Sequence, residues 1–290
     1  MRVLLIGANG QLGSDIVKLW GDVELIPLTH ADIEVTDAGQ IEAALARYKP
    51  QVVVNTAAFH QVDVCEKEVE RAFQVNAFAP RLLALACREA DAALLHISTD
   101  YVFGGDAART TPYVESDCPA PINVYGLSKL AGEHFIRYLW PRHFIVRTSG
   151  LYGVAGSSGK GGNFVEGRLK QARAGQTIRM VADQVLTPTY TVDLARALRR
   201  LVGTEHYGLY HVTSGGQCSW YEFTAKILEL TGLHTELIPQ TTTESAAAAR
   251  RPAYSVLENH ALQAIGLDDM RPWPEALADY LRAREAREPA

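Results

Sequence analysis

Cysteine is scarce: Cys65, Cys87, Cys118 and Cys218 are the only four in 290 residues, and no two form a C-x-x-C pair. A chain this long with so few needs no disulfide framework, and a reducing compartment is the simpler expectation. Long apolar runs are also missing. The stretch 3–6 (VLLI) stops at Gly7, too short for the core of a signal peptide, and no run approaches the roughly 20 residues that span a bilayer. Excess positive charge is absent too. With a net charge of -5 and a pI near 6.0 the chain has no broad cationic surface for nucleic acid. The nine histidines include no H-E-x-x-H or other paired spacing, which argues against zinc. No serine is flanked as G-x-S-x-G, against serine hydrolase chemistry. The Gly159-Lys160 pair lacks the glycine a P-loop needs at 154 and the Ser/Thr it needs at 161, against kinase or ATPase chemistry. A cytoplasmic protein that touches neither membrane nor nucleic acid is the expectation.

What is present is a rhythm. Short apolar runs at 2–6, 23–28, 51–54, 93–97 and 143–146 read as strands buried on both faces. Helical patterns at 11–20, 38–48, 66–90 and 125–139 separate them, and such alternation predicts a parallel sheet. Beyond about Gly150 strands thin out. A glycine-rich loop at 153–162 leads to a helix after Asn163, an extended piece at 178–181, and helices across 192–202, 221–231 and 273–283. The expected fold is α/β: a Rossmann-type doubly wound parallel sheet over 1–150, and a smaller α/β part over 151–290 that closes a cleft above it. Segments of the second part are free to return to the first sheet.

Two constellations carry chemistry. Gly7-Ala8-Asn9-Gly10-Gln11-Leu12-Gly13 follows the first strand and opens a helix. There glycines permit a tight turn and the helix N-terminus offers free N–H groups to a pyrophosphate. The second strand ends at Leu28-Thr29-His30, with neither a carboxylate for a ribose 2′-hydroxyl nor an arginine for a 2′-phosphate. The second constellation is Tyr125 and Lys129 in NVYGLSK, which share a helix face at i and i+4. A nearby ammonium favours phenolate and tunes a tyrosine as proton donor. Alone such a pair suits any exposed helix. Thr99, in the STDYVF segment at the carboxyl end of the fourth strand, adds a hydroxyl where open α/β sheets bind ligands.

A Ser/Thr–Tyr–Lys set behind a dinucleotide turn resembles the extended short-chain dehydrogenase/reductase superfamily. Serial blocks narrow the resemblance to the dTDP-4-dehydrorhamnose reductase family. They run in order: GANGQLG, Asn55-Thr-Ala-Ala58, Val62-Asp63, Val75-Asn76, STDYVF, TPYVESD, NVYGLSKLAGE, Arg147-Thr148-Ser149, Gly162-Asn163-Phe164, Asp183-Gln184, Thr187-Pro188-Thr189, GLYHV, Ser219-Trp220-Tyr221 and Ala249-Arg250-Arg251-Pro252. The resemblance implies reduction of the 4-keto group of a dTDP-linked 6-deoxy sugar to dTDP-L-rhamnose, with NADPH as cofactor and NADH admissible. It implies Thr99 polarising the carbonyl, Tyr125 as general acid, and Lys129 holding the nicotinamide ribose and tuning Tyr125. Cofactor contacts fall to Gly7, Asn9, Gly10, Gln11, Leu12 and Gly13, to Thr29, and to Ala57 and Ala58, besides Tyr125 and Lys129. Substrate contacts fall to Val62, Tyr101, Asn163, Gln184 and Arg250, whose guanidinium suits a diphosphate. No metal ligands are expected, and a homodimer is left open.

One position departs from the family. After the fifth strand relatives read R-T-S-W-x-Y-G, with the tryptophan flanking the sugar, whereas this chain has Gly150. Loss of that aromatic wall opens the pocket and leaves the sugar undetermined. The loop 153–162 is a candidate lid. Two rival readings stand at this point: a non-catalytic NADP-binding subunit like the beta subunit of methionine adenosyltransferase, and a reductase or epimerase of another nucleotide sugar.

Overall fold

Along the first strand Val3 and Leu5 pack to one side while Leu4 and Ile6 pack to the other, and this period of two sets the layering. In this computed structural model residues 1–156, 162–245 and 247–286 are described. Strands β1 (Arg2–Ile6), β2 (Glu24–Leu28), β3 (Val52–Asn55), β4 (Ala93–Thr99), β5 (His143–Thr148) and β6 (Gly208–His211) form one parallel sheet in the order β2-β1-β3-β4-β5-β6. Helices Gln11–Leu19 and Thr191–Leu201 cover the Val3/Leu5 face. Helices Ala38–Tyr48 and Ala79–Glu89 cover the Leu4/Ile6 face. With apolar cores on both faces the strands carry no polar alternation, and the fold is a doubly wound α/β sheet.

The helix expected over 66–90 is interrupted. It resolves into Val62–Cys65, Val69–Phe73, a wide π turn at Gln74–Phe78, and Ala79–Glu89. Pro80 is the physical reason, since it lacks the N–H that an unbroken helix would send back to Asn76 O. The Asn76 side chain meanwhile binds the Phe59 backbone twice, through its N–H and its carbonyl, both at 2.9 Å.

The second half builds a separate apolar cluster from Tyr152, Phe223, Trp273 and Tyr280, held among helices Phe164–Arg173, Trp220–Thr231 and Trp273–Glu285. The extended piece Ile178–Val181 pairs in parallel with Leu237–Gln240. The halves are interlocked. The strand β6 comes from the second half, and the Thr191–Leu201 helix packs under β1, where Trp20 Nε1 donates to Ala195 O at 3.0 Å. The lid expected of 153–162 falls in part on residues 157–161, outside those described.

Candidate active site

Chain order reverses between β1 and β3, and the crevice beyond their carboxyl ends is the place where such sheets take ligands. A cleft of about 1320 Å³ opens there. The turn after β1 fits a dinucleotide. Gly7 sits at φ +85°, and a Cβ on it would lie 2.5 Å from Thr56 Oγ1, so only glycine lets the β1 and β3 ends meet. A Cβ on Gly13 would lie 2.1 Å from Gly7 O, so the third glycine brings the Gln11–Leu19 helix down onto the turn with its N-terminus facing the cleft.

Asn9, Gly10, Gln11, Leu12, Thr29, Ala57 and Ala58 line the same cleft. The carboxylate of Asp32 is committed locally, accepting from Thr29 N at 2.8 Å and from Thr29 Oγ1 at 2.7 Å, and those bonds hold its pKa below the ordinary value.

The strand β4 delivers Thr99 to the cleft, 5% exposed, and the helix Val124–Leu139 delivers Tyr125 and Lys129. Asn123 starts that helix by accepting from Gly126 N at 2.8 Å. Thr99 Oγ1 accepts from Tyr101 N at 3.1 Å, and its side chain hydrogen-bonds Tyr125. The Tyr101 ring meets Tyr125 edge-on at 5.8 Å. Burial pushes the Tyr125 phenol well above its usual pKa, and the Thr99 hydrogen bond offsets part of that rise. The lowering expected from Lys129 is therefore not the dominant effect. Lys129 is 1% exposed and turns to His96 Nε2 at 3.0 Å and Ile97 O at 2.6 Å, and burial lowers its own pKa to about 7.

The residues expected to meet substrate divide. Val62, Tyr101, Asn163 and Gln184 border the cleft. The Asn163 amide is engaged in the fold, capping the Phe164–Arg173 helix through Glu166 N at 3.0 Å and donating to Gly153 O and Tyr280 Oη. Gln184 donates to Thr242 Oγ1 at 3.0 Å. Arg250 is not brought to the cleft: its side chain is exposed, and its carbonyl accepts from Asn123 Nδ2 at 2.9 Å. The next residue, Arg251, lines the cleft instead, bonded to Tyr101 and paired with Asp63 at 2.8 Å.

Three features escaped the sequence reading. Asp100, 3% exposed, accepts from Ser255 at 2.6 Å, Ser149 at 2.9 Å and Thr99 at 3.1 Å, yet burial still raises its pKa to about 6. Glu133 and Arg147 form a fully buried ion pair at 2.6 Å that also receives Ser98. Asn55 and His96 stand behind Lys129. Asn55, Asp100, Glu133 and Arg147 fall within the quoted motif blocks, whereas His96 and Ser255 lie in none, and the contacts that define these features mostly join residues far apart in the chain. Gly150 adopts φ +55°, and a Cβ there would sit 3.0 Å from Leu186 Cδ1 and from Pro188 Cα, so an aromatic side chain has no ready place.

The model of the RmlD substrate binding domain family matches residues 1–285. The spore coat polysaccharide biosynthesis protein SpsK of Bacillus subtilis is 42% identical, over 98% of each chain. A crystal structure of a dTDP-4-dehydrorhamnose reductase from Clostridium acetobutylicum superposes with a TM-score of 0.93 at 40% identity, covering 98% of this chain and 100% of that one. The Bacillus anthracis dTDP-4-dehydrorhamnose reductase, solved in complex with NADP, gives 0.92 at 38% identity, covering 97% and 99%.

Proposed function

The chain belongs to the dTDP-4-dehydrorhamnose reductase family, and on that premise we propose that it reduces the 4-keto group of dTDP-4-dehydro-L-rhamnose to dTDP-L-rhamnose. The observation that carries this reading is the convergence of Thr99, Tyr125 and Lys129 on one cleft with the Gly7–Gly13 turn. The cofactor is NADPH, as in the Bacillus anthracis relative, with NADH admitted because the end of β2 carries no carboxylate or guanidinium. Gly7, Gly10 and Gly13 hold its pyrophosphate against backbone N–H groups, and Ala57 and Ala58 leave room beside it.

The chemistry a bound nicotinamide supplies is a hydride for the carbonyl carbon, its own ring being oxidised as the ketone becomes a secondary alcohol. Tyr125 gives its phenolic proton to the carbonyl oxygen, breaking its O–H bond as the new one forms. Thr99 steadies the charge growing on that oxygen with its hydroxyl. Lys129, protonated, stabilises the phenolate until a solvent proton restores it. Val62 and Tyr101 border the sugar, and Arg251 rather than Arg250 is the cation facing it. Gly150 borders the cleft without an aromatic wall, which keeps a different 6-deoxy sugar nucleotide as the variation to assay.

The intact trio supports an enzyme over a purely regulatory NADP-binding subunit. Among the described residues no helix is long and apolar enough to cross a membrane, and a cytoplasmic location is our inference. A homodimer is supported by apolar side chains left exposed on neighbouring helices, Val69, Phe78, Leu127 and Tyr138. Light scattering at a single-chain mass would remove it.

The deciding assay follows NADPH and NADH consumption with the 4-keto sugar nucleotide generated in the same tube. Tyr125→Phe is expected to lower kcat by about 10²–10⁴-fold while leaving the Kd for NADPH near the parent value. Parental turnover in that variant would remove Tyr125 as the acid.

A further inference from the structure

Asn55, His96 and Lys129 are each about 1% exposed and run as one chain of polar contacts from β3 through β4 to the catalytic helix. Their hydrogen bonds have a direction. Ala57 N–H donates to Asn55 Oδ1 at 3.0 Å, so the Asn55 amide nitrogen is the atom that faces His96 Nδ1, at 3.1 Å. An amide nitrogen only donates, so His96 Nδ1 bears no proton. A buried neutral imidazole then carries its proton on Nε2, which meets Lys129 Nζ at 3.0 Å. An ammonium has no lone pair to receive an N–H, whereas a neutral amine has one. Lys129 Nζ donates in turn to Ile97 O at 2.6 Å.

Other charges near Lys129 do not undo this arrangement. Glu133, one turn further along the same helix, is neutralised by Arg147 from β5 and bonded by Ser98. Tyr125, one turn earlier, keeps its proton because burial holds its pKa high. His96 is the titratable group that reaches Lys129 from β4.

We propose that His96, its tautomer fixed by Asn55, is a positioning residue that holds the Lys129 amine uncharged, and that Lys129 takes up a solvent proton only on leaving His96 for the cofactor ribose and Tyr125. This rests on the reductase reading above for what Lys129 meets next, but not for the resting arrangement. The burial that brings Lys129 to about 7 and His96 well below its ordinary value agrees with it. Lys129 so held is charged when it is needed and costs the fold no buried cation in the meantime.

The test starts on the free protein. In ¹⁵N-histidine NMR His96 is expected as the neutral Nε2–H tautomer. In ε-¹³C-lysine NMR one resonance, missing in Lys129→Met, is expected to titrate near 7. Asn55→Asp keeps the acceptor for Ala57 N–H but replaces the amide donor by a carboxylate oxygen that accepts from His96 Nδ1–H, so it should turn His96 to the Nδ1–H tautomer. It should also move the Lys129 titration up by about 1 pH unit or more. An Nδ1–H tautomer in the parent protein, or a Lys129 titration in the ordinary lysine range near ~10.4, overturns the proposal, and these parent data decide it even if the variant does not fold. Calorimetry at pH 8 in buffers of different ionisation enthalpy then reads proton uptake with NADPH. About one proton per bound NADPH is expected, and binding without uptake overturns the linkage. Failure to bind NADPH would instead overturn the reductase reading, with the NMR titrations still deciding the His96 arrangement.

Discussion

Asp100 is a carboxylate that three hydroxyl donors do not fully compensate for loss of water. Its pKa is raised in the folded chain from 3.8 to about 6. The folded state therefore binds the proton more tightly than the unfolded one. The contribution is fully present below 3.8 and is lost as pH rises through about 6, an order of about 3 kcal/mol in all. Asp100→Asn carries no charge to desolvate. Its Tm relative to the parent is expected to climb between pH 4 and pH 7, and a difference that stays flat across that window would sink the assignment. Thr99, Tyr125 and Lys129 stand out in sequence by their own chemistry and spacing, and the fold brings all three to one cleft. Asp100 carries no signal beyond its place in the STDYVF block, because its partner Ser255 lies 155 residues away. Arg250 was preferred to Arg251 because the doublet reads alike in sequence. Only the folded chain shows that Arg251 turns inward to Asp63.

The helix Val124–Leu139, which carries Tyr125 and Lys129, owes its position to Gly126, which lies between them without sharing their chemistry. A Cβ there would fall 2.0 Å from Tyr101 O, so glycine alone lets the helix rest on the turn after β4. Gly126→Ala is expected to push the helix outward and reduce kcat about 100-fold, the order of loss for a 1 Å misplacement. NADPH affinity should fall as well, since Lys129, which we assign to the cofactor ribose, rides on the same helix. Parental kcat in Gly126→Ala would show that the contact yields without cost. In the first half element types and order were legible from periodicity, with ends within one or two residues for the five strands and the Val124–Leu139 helix, whereas β6 from the second half was not anticipated. The exception, 66–90, reads as one amphipathic helix because periodicity is blind to a single missing N–H at Pro80. The strands Leu237–Gln240 and Cys218–Ser219 are too short for a pattern, and tertiary pairing alone defines them.

On the scale of the molecule, the boundary near Gly150 marks a change in sequence rhythm rather than a place where the fold can be parted. Leu194, Leu198, Leu201 and Val212 from the second half are buried against the Val3/Leu5 face. At about 1.5–3 kcal/mol each, these four side chains alone are comparable to the whole stability of a domain. A fragment of residues 1–150 is expected to lack a cooperative thermal transition and to bind a hydrophobic dye, while the full chain melts in one step. A cooperatively melting fragment would overturn this. The late arrival of β6 also sets a timetable for synthesis. Some 60 residues separate the end of β5 at Thr148 from the start of β6 at Gly208. At about 5–20 residues per second the nascent sheet keeps an unpaired β5 edge and a bare apolar face for roughly 3–12 s. That interval is long against hydrophobic collapse and makes the half-made chain, rather than the finished enzyme, the form most in need of protection from its neighbours.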